Sequence, residues 1–558
     1  MMEQIKIGTF IPGNKAAEWL SVRKCGFIGI IKESQGYAGD SGVTVSWLGL
    51  YCNDVIKHMG VFQSPYCLFG KRRGITMKKL LSLLLVTVMI LSLTACRKSQ
   101  DTSDTDTVTS GTQTRISTAG AASAESGGTG SDTAAVEKSV ITVTFRDDGR
   151  GENGSLWKWL QTAYDSFDKK DSCELNIAPI TASEGDYFAK VALSLQSAET
   201  APDLVAEDTF QLATDVEAGY LTALDDYLAN YADWTEGSYY ESLKEGVTAA
   251  DGKVYGVPYN TDTRGLWYNK EIFKQAGLPE VWEPKAWDEI LSACQAIKEK
   301  VPDVVPFWCN SAVATGEATS MQTYEMLLYG TGERLLDEST GKWVISSQGI
   351  LDSLTFLDHI YKNNFGPPLS KVLNGQASNT SAREYLPQGK LAISLDGSWI
   401  TGNYLEAGAS PWSEYSDVLG FAPMPTQKGG GTGFITLAGG WAWSIPSKSD
   451  SKDITMEFIE HLMGHDLYVD ALIAMGSIGT RADIVDNEKY SSMPFIQTAT
   501  EFLKDASFRP KDSKYSAVST HIQTMVESVV SGSSPADAMA TYGVDVTRTV
   551  GEDNVISK

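Results

Sequence analysis

DGKVYGVPYNTDTRGLWYNKEIFKQAGL, residues 251–278, is the stretch whose reading decides the fold. Asp251-Gly252 is a turn pair of the kind that reverses a chain. Val254, Tyr255 and Val257 read as a short buried strand. Pro258 removes a backbone donor and fixes φ, so the strand cannot continue as a central one. Tyr259 to Arg264 is polar. Leu266, Trp267 and Tyr268 then resume an extended run, and Glu271 to Ala276 read as a helical turn or more, closed by Gly277 and Leu278-Pro279. A strand that stops at a proline, passes through hydrogen-bonding side chains and restarts as a second strand is the pattern of a chain crossing between two lobes.

Upstream, Ile141, Val143 and Phe145 alternate as a strand. Leu156, Trp159, Leu160, Ala163, Tyr164 and Phe167 recur at helical spacing behind Ser155, a candidate cap. Leu175, Ile177 and Ile180 mark a second strand, Phe188 to Leu195 a second helix, and Pro202 to Val205 a third strand. Strand and helix in this rhythm predict a mostly parallel sheet. Ligands collect at the carboxyl ends of strands in such sheets. That places Asp147 and Asp148, after the first strand, and Glu207 and Asp208, after the third, near a cleft.

Downstream, Trp287 to Ile297 and Leu351 to Tyr361 read as helices. Ala286 stands at the start of the first, which weakens its cap by up to ~1 kcal/mol. Gly389 to Trp399 is an apolar strand ending in a small-residue turn that presents Trp399. Phe421 to Pro425, followed by Gly429, Gly430 and Gly431, reads as the return crossing. Ile454 to Met463 is helical, and the chain to about Val550 reads as helices returning to the second lobe.

Before the head lies a leader. Met77 is followed by Lys78 and Lys79, then by Leu80 to Leu93, interrupted only by Ser82, Thr87 and Ser92. This run is short for a membrane span, which needs ~20 residues, and fits a secretory signal. Such a signal belongs at an N-terminus, so residues 1–76, with no clear period or cap pattern, are expected to be upstream translation of a misplaced start; a cytoplasmic extension on an anchored protein is the alternative. Arg97 to Lys138 is built of Ser, Thr, Gly, Ala and Asp, too polar to offset the cost of ordering, and is expected to be a disordered tether.

With 558 residues, 42 % hydrophobic, 14 Trp and 23 Tyr, the chain is globular and long enough for two or more domains. Its net charge is −24. Residues 1–96 hold 11 of its 46 basic and 5 of its 70 acidic residues, so the remainder is near −30. Such a surface repels phosphate backbones and excludes nucleic acid as a partner. None of the seven cysteines makes a zinc spacing. Buried free thiols are the default for Cys173, Cys294 and Cys309, with a Cys294–Cys309 bridge as the alternative. His461 and His465 are spaced like a zinc pair, but Leu462 stands where a metalloprotease needs Glu. There is no Walker A loop and no nucleophile elbow, and nothing implies a metal or cofactor.

The opening stretch resembles the hinge of the extracellular solute-binding proteins of family 1, sugar-capturing receptors of ABC importers. Gly252, Lys253, Tyr255, Pro258, Asn260, Tyr268, Asn269, Lys270, Phe273 and Gly277 fit its pattern in one register. Pro202 to Val205, the run Glu217 to Leu228, Gly389 to Trp399 and Gly439 to Pro446 resemble further family segments, and Leu93-Thr94-Ala95-Cys96 resembles a lipobox, with lipid on the Cys96 thiol. The resemblance spans roughly residues 140–550. It implies a two-lobed periplasmic-binding-protein-like α/β fold, each lobe a mostly parallel sheet flanked by helices, joined by a multi-strand hinge. The implied division is signal peptide 77–95, tether 96–138, lobe 1 from 139–257 plus 430–490, and lobe 2 from 258–429 plus 491–558.

The implied function is carbohydrate capture, as a lipid-anchored monomer on the outer face of a bacterial cytoplasmic membrane, with delivery to an ABC permease. A sugar needs flat rings for its C–H faces and charged or amide groups for its hydroxyls. Trp399, Trp441 and Tyr259 are the candidate platforms. Asp208, Asn260, Asp262, Arg264, Asp396 and Arg481 are the candidate polar contacts. Two readings stay open beside it: an extracellular glycoside hydrolase, since 65 carboxylates beyond residue 96 offer many pairs, and the same scaffold binding a non-sugar solute.

Overall fold

The computed structural model describes residues 138–558, save Asp148, Ser183 and the side chain of Glu184, together with the backbone of four strands near the start. The chain divides into two units, residues 1–128 and 129–558. In the first, strands Ile5–Thr9, Ala16–Val22, Ile28–Gln35 and Ser41–Trp47 pair as an antiparallel meander. The sequence does carry the period for it: Val43, Val45 and Trp47 alternate with Gly, Thr and Ser. The signal at 77–95, Cys96, the tether to residue 137 and Asp148 lie outside the described residues.

Two sheets organise the second unit. Their strands are β1 (Ser139–Thr144), β2 (Cys173–Ile177), β3 (Leu204–Asp208), β4 (Val257–Thr261), β5 (Arg264–Asn269), β6 (Val305–Trp308), β7 (Leu391–Gly397), β8 (Leu419–Ala422) and β9 (Gly440–Ser444). The first sheet has the order β4-β9-β3-β1-β2 and the second β6-β7-β5-β8. Only β1, β2 and β3 pair in parallel in the first sheet, and only β6 and β7 in the second. Both sheets are therefore mixed, not mostly parallel. The cause is the double crossing: strands that enter or leave a lobe, β4 and β9 in one and β5 and β8 in the other, run against their neighbours.

The crossing itself falls later than the proline suggested. β4 runs through Pro258 to Thr261, and the chain changes sheets at Asp262-Thr263. Pro258 is tolerated because β4 is an edge strand, and the pairing with β9 slips between Pro258 and Asn260. Asn269 then caps the helix Lys270–Ala276, accepting from the Ile272 amide at 3.0 Å, and Gly277 ends it at φ 71°. Gly154, not Ser155, stands at the cap of helix Ser155–Ser166; the Ser155 hydroxyl instead donates to the Ala474 carbonyl at 3.1 Å. Ala286 makes no side-chain cap bond to helix Trp287–Lys300.

Each lobe has an aromatic centre. In the first, Trp159, Tyr259, Trp443 and Tyr468 pack together. In the second, fully buried Trp267 stacks on Phe421 at 4.3 Å. Removing such a ring costs about 3–5 kcal/mol. The final helices, Tyr515–Val530 and Pro535–Val550, pack on each other and on Gln348–Lys362, and strand Val555–Ser557 pairs with Lys342–Ser346. Among the described residues no helix is long and apolar enough to cross a membrane.

Candidate functional site

β3 ends in Glu207-Asp208, and strand alternation sends the two side chains to opposite faces. Asp208 caps the helix Thr209–Glu217, accepting from the Phe210 amide at 3.1 Å. Glu207 goes the other way. It is fully buried, neither carboxyl oxygen has a hydrogen-bond partner among the described residues, and burial first, then Asp215 and Asp208, push its pKa well above the usual carboxylate range. It is a core acid, not a cleft group. Asp147 is spent locally, accepting from the Gly151 amide at 3.0 Å and the Thr181 hydroxyl at 2.9 Å.

The two crossings between the sheets are laced by side chains. Asn260 Oδ1 accepts from the Trp441 amide at 3.0 Å, and the Thr261 hydroxyl donates to the Gly439 carbonyl at 2.8 Å. Asp262 accepts from the Gly439 amide at 2.9 Å and pairs with the Arg264 guanidinium. Arg264 also donates to the Leu437 carbonyl at 3.2 Å, and its guanidinium carbon lies 4.9 Å from the centre of the Trp399 ring. Trp399, partly exposed, folds back over Gly397, where a Cβ would strike its ring. Asp396, one residue earlier, is buried and accepts from the Gly397 amide at 2.8 Å; burial pushes its pKa up to about 7, against the pull of that bond and of Arg264. Trp441, also partly exposed, stacks on Phe188 at 5.9 Å and 17°.

Seven of the nine candidates thus lie around the crossings or at the end of β3. Tyr259 and Arg481 do not join them. Tyr259 is 2 % exposed, with its ring 4.8 Å from that of Trp443 and edge-on to Trp159. It shares the inward face with Val257, two residues before, so it is a core ring rather than a platform. Arg481 is 2 % exposed and clamps loops of the first lobe. It pairs with Asp233 and Asp483 and donates to the Met463 carbonyl at 2.7 Å.

Sequence reasoning missed a cluster beside Asp208. Arg509 donates to Asp208 at 2.6 Å and to Glu317 at 3.2 Å. The Tyr515 hydroxyl lies 2.9 Å from Glu317 Oε2 and 2.6 Å from Glu325 Oε1. Glu317 opens a wholly buried helical run that includes a π-helical turn, Ser320–Glu325. Burial, with Glu317 adding to it, pushes the Glu325 pKa up to about 8. Two acids in an otherwise uncharged helical run were the one signal available in the sequence. Gly439 sits between both arginines: a Cβ there would lie 3.1 Å from Arg509 Nη2 and 3.5 Å from each Arg264 terminal nitrogen.

Outside this region, Cys173, Cys294 and Cys309 are free and buried, so Cys294 and Cys309 form no bridge. Burial pushes the Cys309 thiol up to about 11. His461 faces Ser166 at 3.0 Å and His465 faces Asp466 at 3.0 Å, so each ring has a partner of its own. No group of three His, Cys, Asp or Glu side chains placed for a metal exists among the described residues.

A family model for bacterial extracellular solute-binding proteins matches residues 144–467. The chain is 23 % identical over 340 residues to the lactose-binding protein of Rhizobium radiobacter, covering 58 % of this chain and 71 % of the relative. It is 22 % identical over 236 residues to the sn-glycerol-3-phosphate-binding periplasmic protein UgpB of Agrobacterium fabrum, covering 42 % and 48 %. Among solved structures, an ABC transporter solute-binding protein from Thermotoga lettingae bound with α-D-tagatose matches with a TM-score of 0.64 at 26 % identity, over 74 % of this chain and all of that one.

Proposed function

The chain belongs to the bacterial extracellular solute-binding proteins, and from that premise we propose that it captures a carbohydrate of oligosaccharide size between its lobes and hands it to the permease of an ABC importer. The observation that carries this reading is the joining of two indole rings, Trp399 and Trp441, to a set of polar groups at the crossings: Asp208, Arg264 and Asp396, which are buried, and Asn260 and Asp262, which are partly exposed. Rings take the C–H faces of a sugar, and carboxylate, amide and guanidinium take its hydroxyls. Ligand contacts to both lobes stabilise the closed arrangement, so capture is a population shift about the hinge. Closure without turnover makes the protein a receptor rather than an enzyme, working as a monomer. Lipid on Cys96 would hold it at the outer face of the cytoplasmic membrane, with residues 97–138 as the spacer. The R. radiobacter relative is named for lactose, a disaccharide, which favours a sugar. The UgpB relative is named for a phosphate ester, but here Arg264 and Arg509 are already paired with carboxylates, a poor setting for an anion.

The test is a thermal-shift screen of the purified protein against mono- and oligosaccharides, polyamines and glycerol phosphates. A ligand that binds only the folded state stabilises it by RT ln(1 + [L]/Kd), about 2.7 kcal/mol at a hundredfold excess over Kd, and so raises the melting temperature. One oligosaccharide is expected to give a strong shift, to be recovered intact, and to lose its effect in Trp399→Ala. Silence across all sugars with a shift from another solute would overturn the carbohydrate reading, and a cleaved sugar would replace the receptor with a hydrolase.

A further inference from the structure

Arg509 lies on a short extended run beside the return crossing. The Ala438 amide donates to the Ser507 carbonyl and the Ser507 amide to the Thr436 carbonyl, each at 2.9 Å. From there the guanidinium reaches in two directions. One arm holds Asp208 at the end of β3 in the first lobe, and the other holds Glu317 on the second lobe's helical run. Asp208, Glu317 and Arg509 are all buried. Each carboxylate is also fixed from its own side. Asp208 accepts from the Phe210 amide. Glu317 accepts from Ser320 at 3.1 Å, from Tyr515 and from Ser519. Among the described residues only the guanidinium joins the two. The same strip continues along the facing helices: the Thr214 hydroxyl donates to the Ser513 carbonyl at 3.2 Å, Ser516 to Gln211 at 3.1 Å, and the Phe210 and Tyr515 rings lie 6.1 Å apart.

An ion pair out of water attracts far more strongly than one in water, and breaking it by removing one member leaves the other charge uncompensated. Opening the cleft would hydrate all three groups, so this triad favours one arrangement of the lobes over another. It is no general stabiliser. We infer that Arg509 is a closure latch, a positioning residue whose two-armed pairing holds the lobes together, raises the closed fraction before any solute arrives and slows release afterwards. The first effect is independent of the ligand; the second rests on the carbohydrate reading above. Two arms are required, and a lysine ammonium lacks the planar fork that serves both carboxylates at once.

The experiment compares the intact protein with Arg509→Lys and Glu317→Gln. Small-angle X-ray scattering without ligand reads the closed fraction, urea midpoints read the fold, and stopped-flow release of the sugar found in the screen reads koff. Both variants are expected to show a larger radius of gyration than the parent without ligand. Their urea midpoints should stay close to the parent value, and koff should rise about tenfold with little change in kon, as for other buried charge pairs at interfaces. Unchanged scattering in both variants would overturn the latch. So would a collapse of the urea midpoint in both, which would make the triad part of the fold. If no sugar binds the parent while the scattering difference persists, the carbohydrate reading fails and the latch stands.

Discussion

Arg481 and Arg509 have the same chemistry and opposite consequences. Both are buried and both hold two carboxylates. The partners of Arg481, Asp233 and Asp483, belong to the first lobe with it and are each 35 % exposed. The partners of Arg509 belong to different lobes and are 10 % and 8 % exposed. The surroundings then decide which way the acids titrate. At Asp483 burial raises the pKa, but the bond and charge of Arg481 outweigh it and the net shift is downward. At Asp208 burial outweighs Arg509 and the net shift is upward. An arginine clamps a fold when its partners share its lobe and some water. It becomes a switch element when they lie in separate lobes in a dry setting.

The sharpest contrast is in pH dependence, and it carries the largest expected effect. Glu325, hydrogen-bonded to Tyr515 in the dry cluster, has a folded pKa of about 8 against an ordinary 4.5. A raised carboxyl pKa means that the folded state holds its proton while the unfolded state loses it. Stability is therefore highest below about pH 4.5 for this group and declines as pH rises towards about 8. At ~1.4 kcal/mol for each pH unit of that window, the upper bound is about 5 kcal/mol. Asp396, raised to about 7, adds to the decline with the same sign. Glu325→Gln should flatten the fall in urea-unfolding free energy between pH 5 and pH 8; a slope equal to that of the parent would show that Glu325 ionises as freely as it does when unfolded. Asp483 behaves in the opposite sense: its share is present above the unfolded pKa and lost in acid.

The next effect belongs to the clamp. Arg481→Ala removes a guanidinium from Asp233, Asp483 and the Met463 carbonyl, and from its place 5.7 Å from the centre of the Tyr239 ring. A buried pair broken in this way costs about 3–5 kcal/mol; because both acids reach water, about 3 kcal/mol is expected. The free energy of urea unfolding should fall by that amount, while the sugar affinity of the fraction that remains folded stays at the parent value. Weaker binding in that fraction would move Arg481 back to the ligand.

How the sequence failed to separate these two arginines is instructive. Local patterns were legible: the alternation of Ile141, Val143 and Phe145 and the glycine stop at Gly277 stand where they were read, and the run read as polar from Tyr259 to Arg264 is so from Asn260 on, while the cap at Asn269 went unread. Tyr259 was misplaced because the break at Pro258 was weighed above simple parity with Val257, which points the ring inward. Sheet direction was misplaced because each crossing strand reverses, and a crossing leaves no mark in a β-α-β rhythm. Arg509 was out of reach altogether. It meets Glu317 across 192 residues and Asp208 across 301, and no periodicity spans such a distance.

The smallest effect tests the switch without touching a charge. Gly439 donates its amide to Asp262 and accepts from Thr261, and neither bond needs a glycine. A methyl there would lie 3.1 Å from Arg509 Nη2, tight enough that the guanidinium must move by a few tenths of an ångström, and 3.5 Å from the Arg264 nitrogens, which is ordinary contact. Crowding of this kind costs about 1 kcal/mol. If Arg509 belongs to the closed arrangement alone, the cost falls on closure. Gly439→Ala should then weaken sugar binding by about fivefold and leave the ligand-free urea midpoint in place. If Arg509 were a clamp like Arg481, the same methyl would lower the midpoint and spare the affinity. A titration and an unfolding curve on one variant thus tell the two kinds of arginine apart.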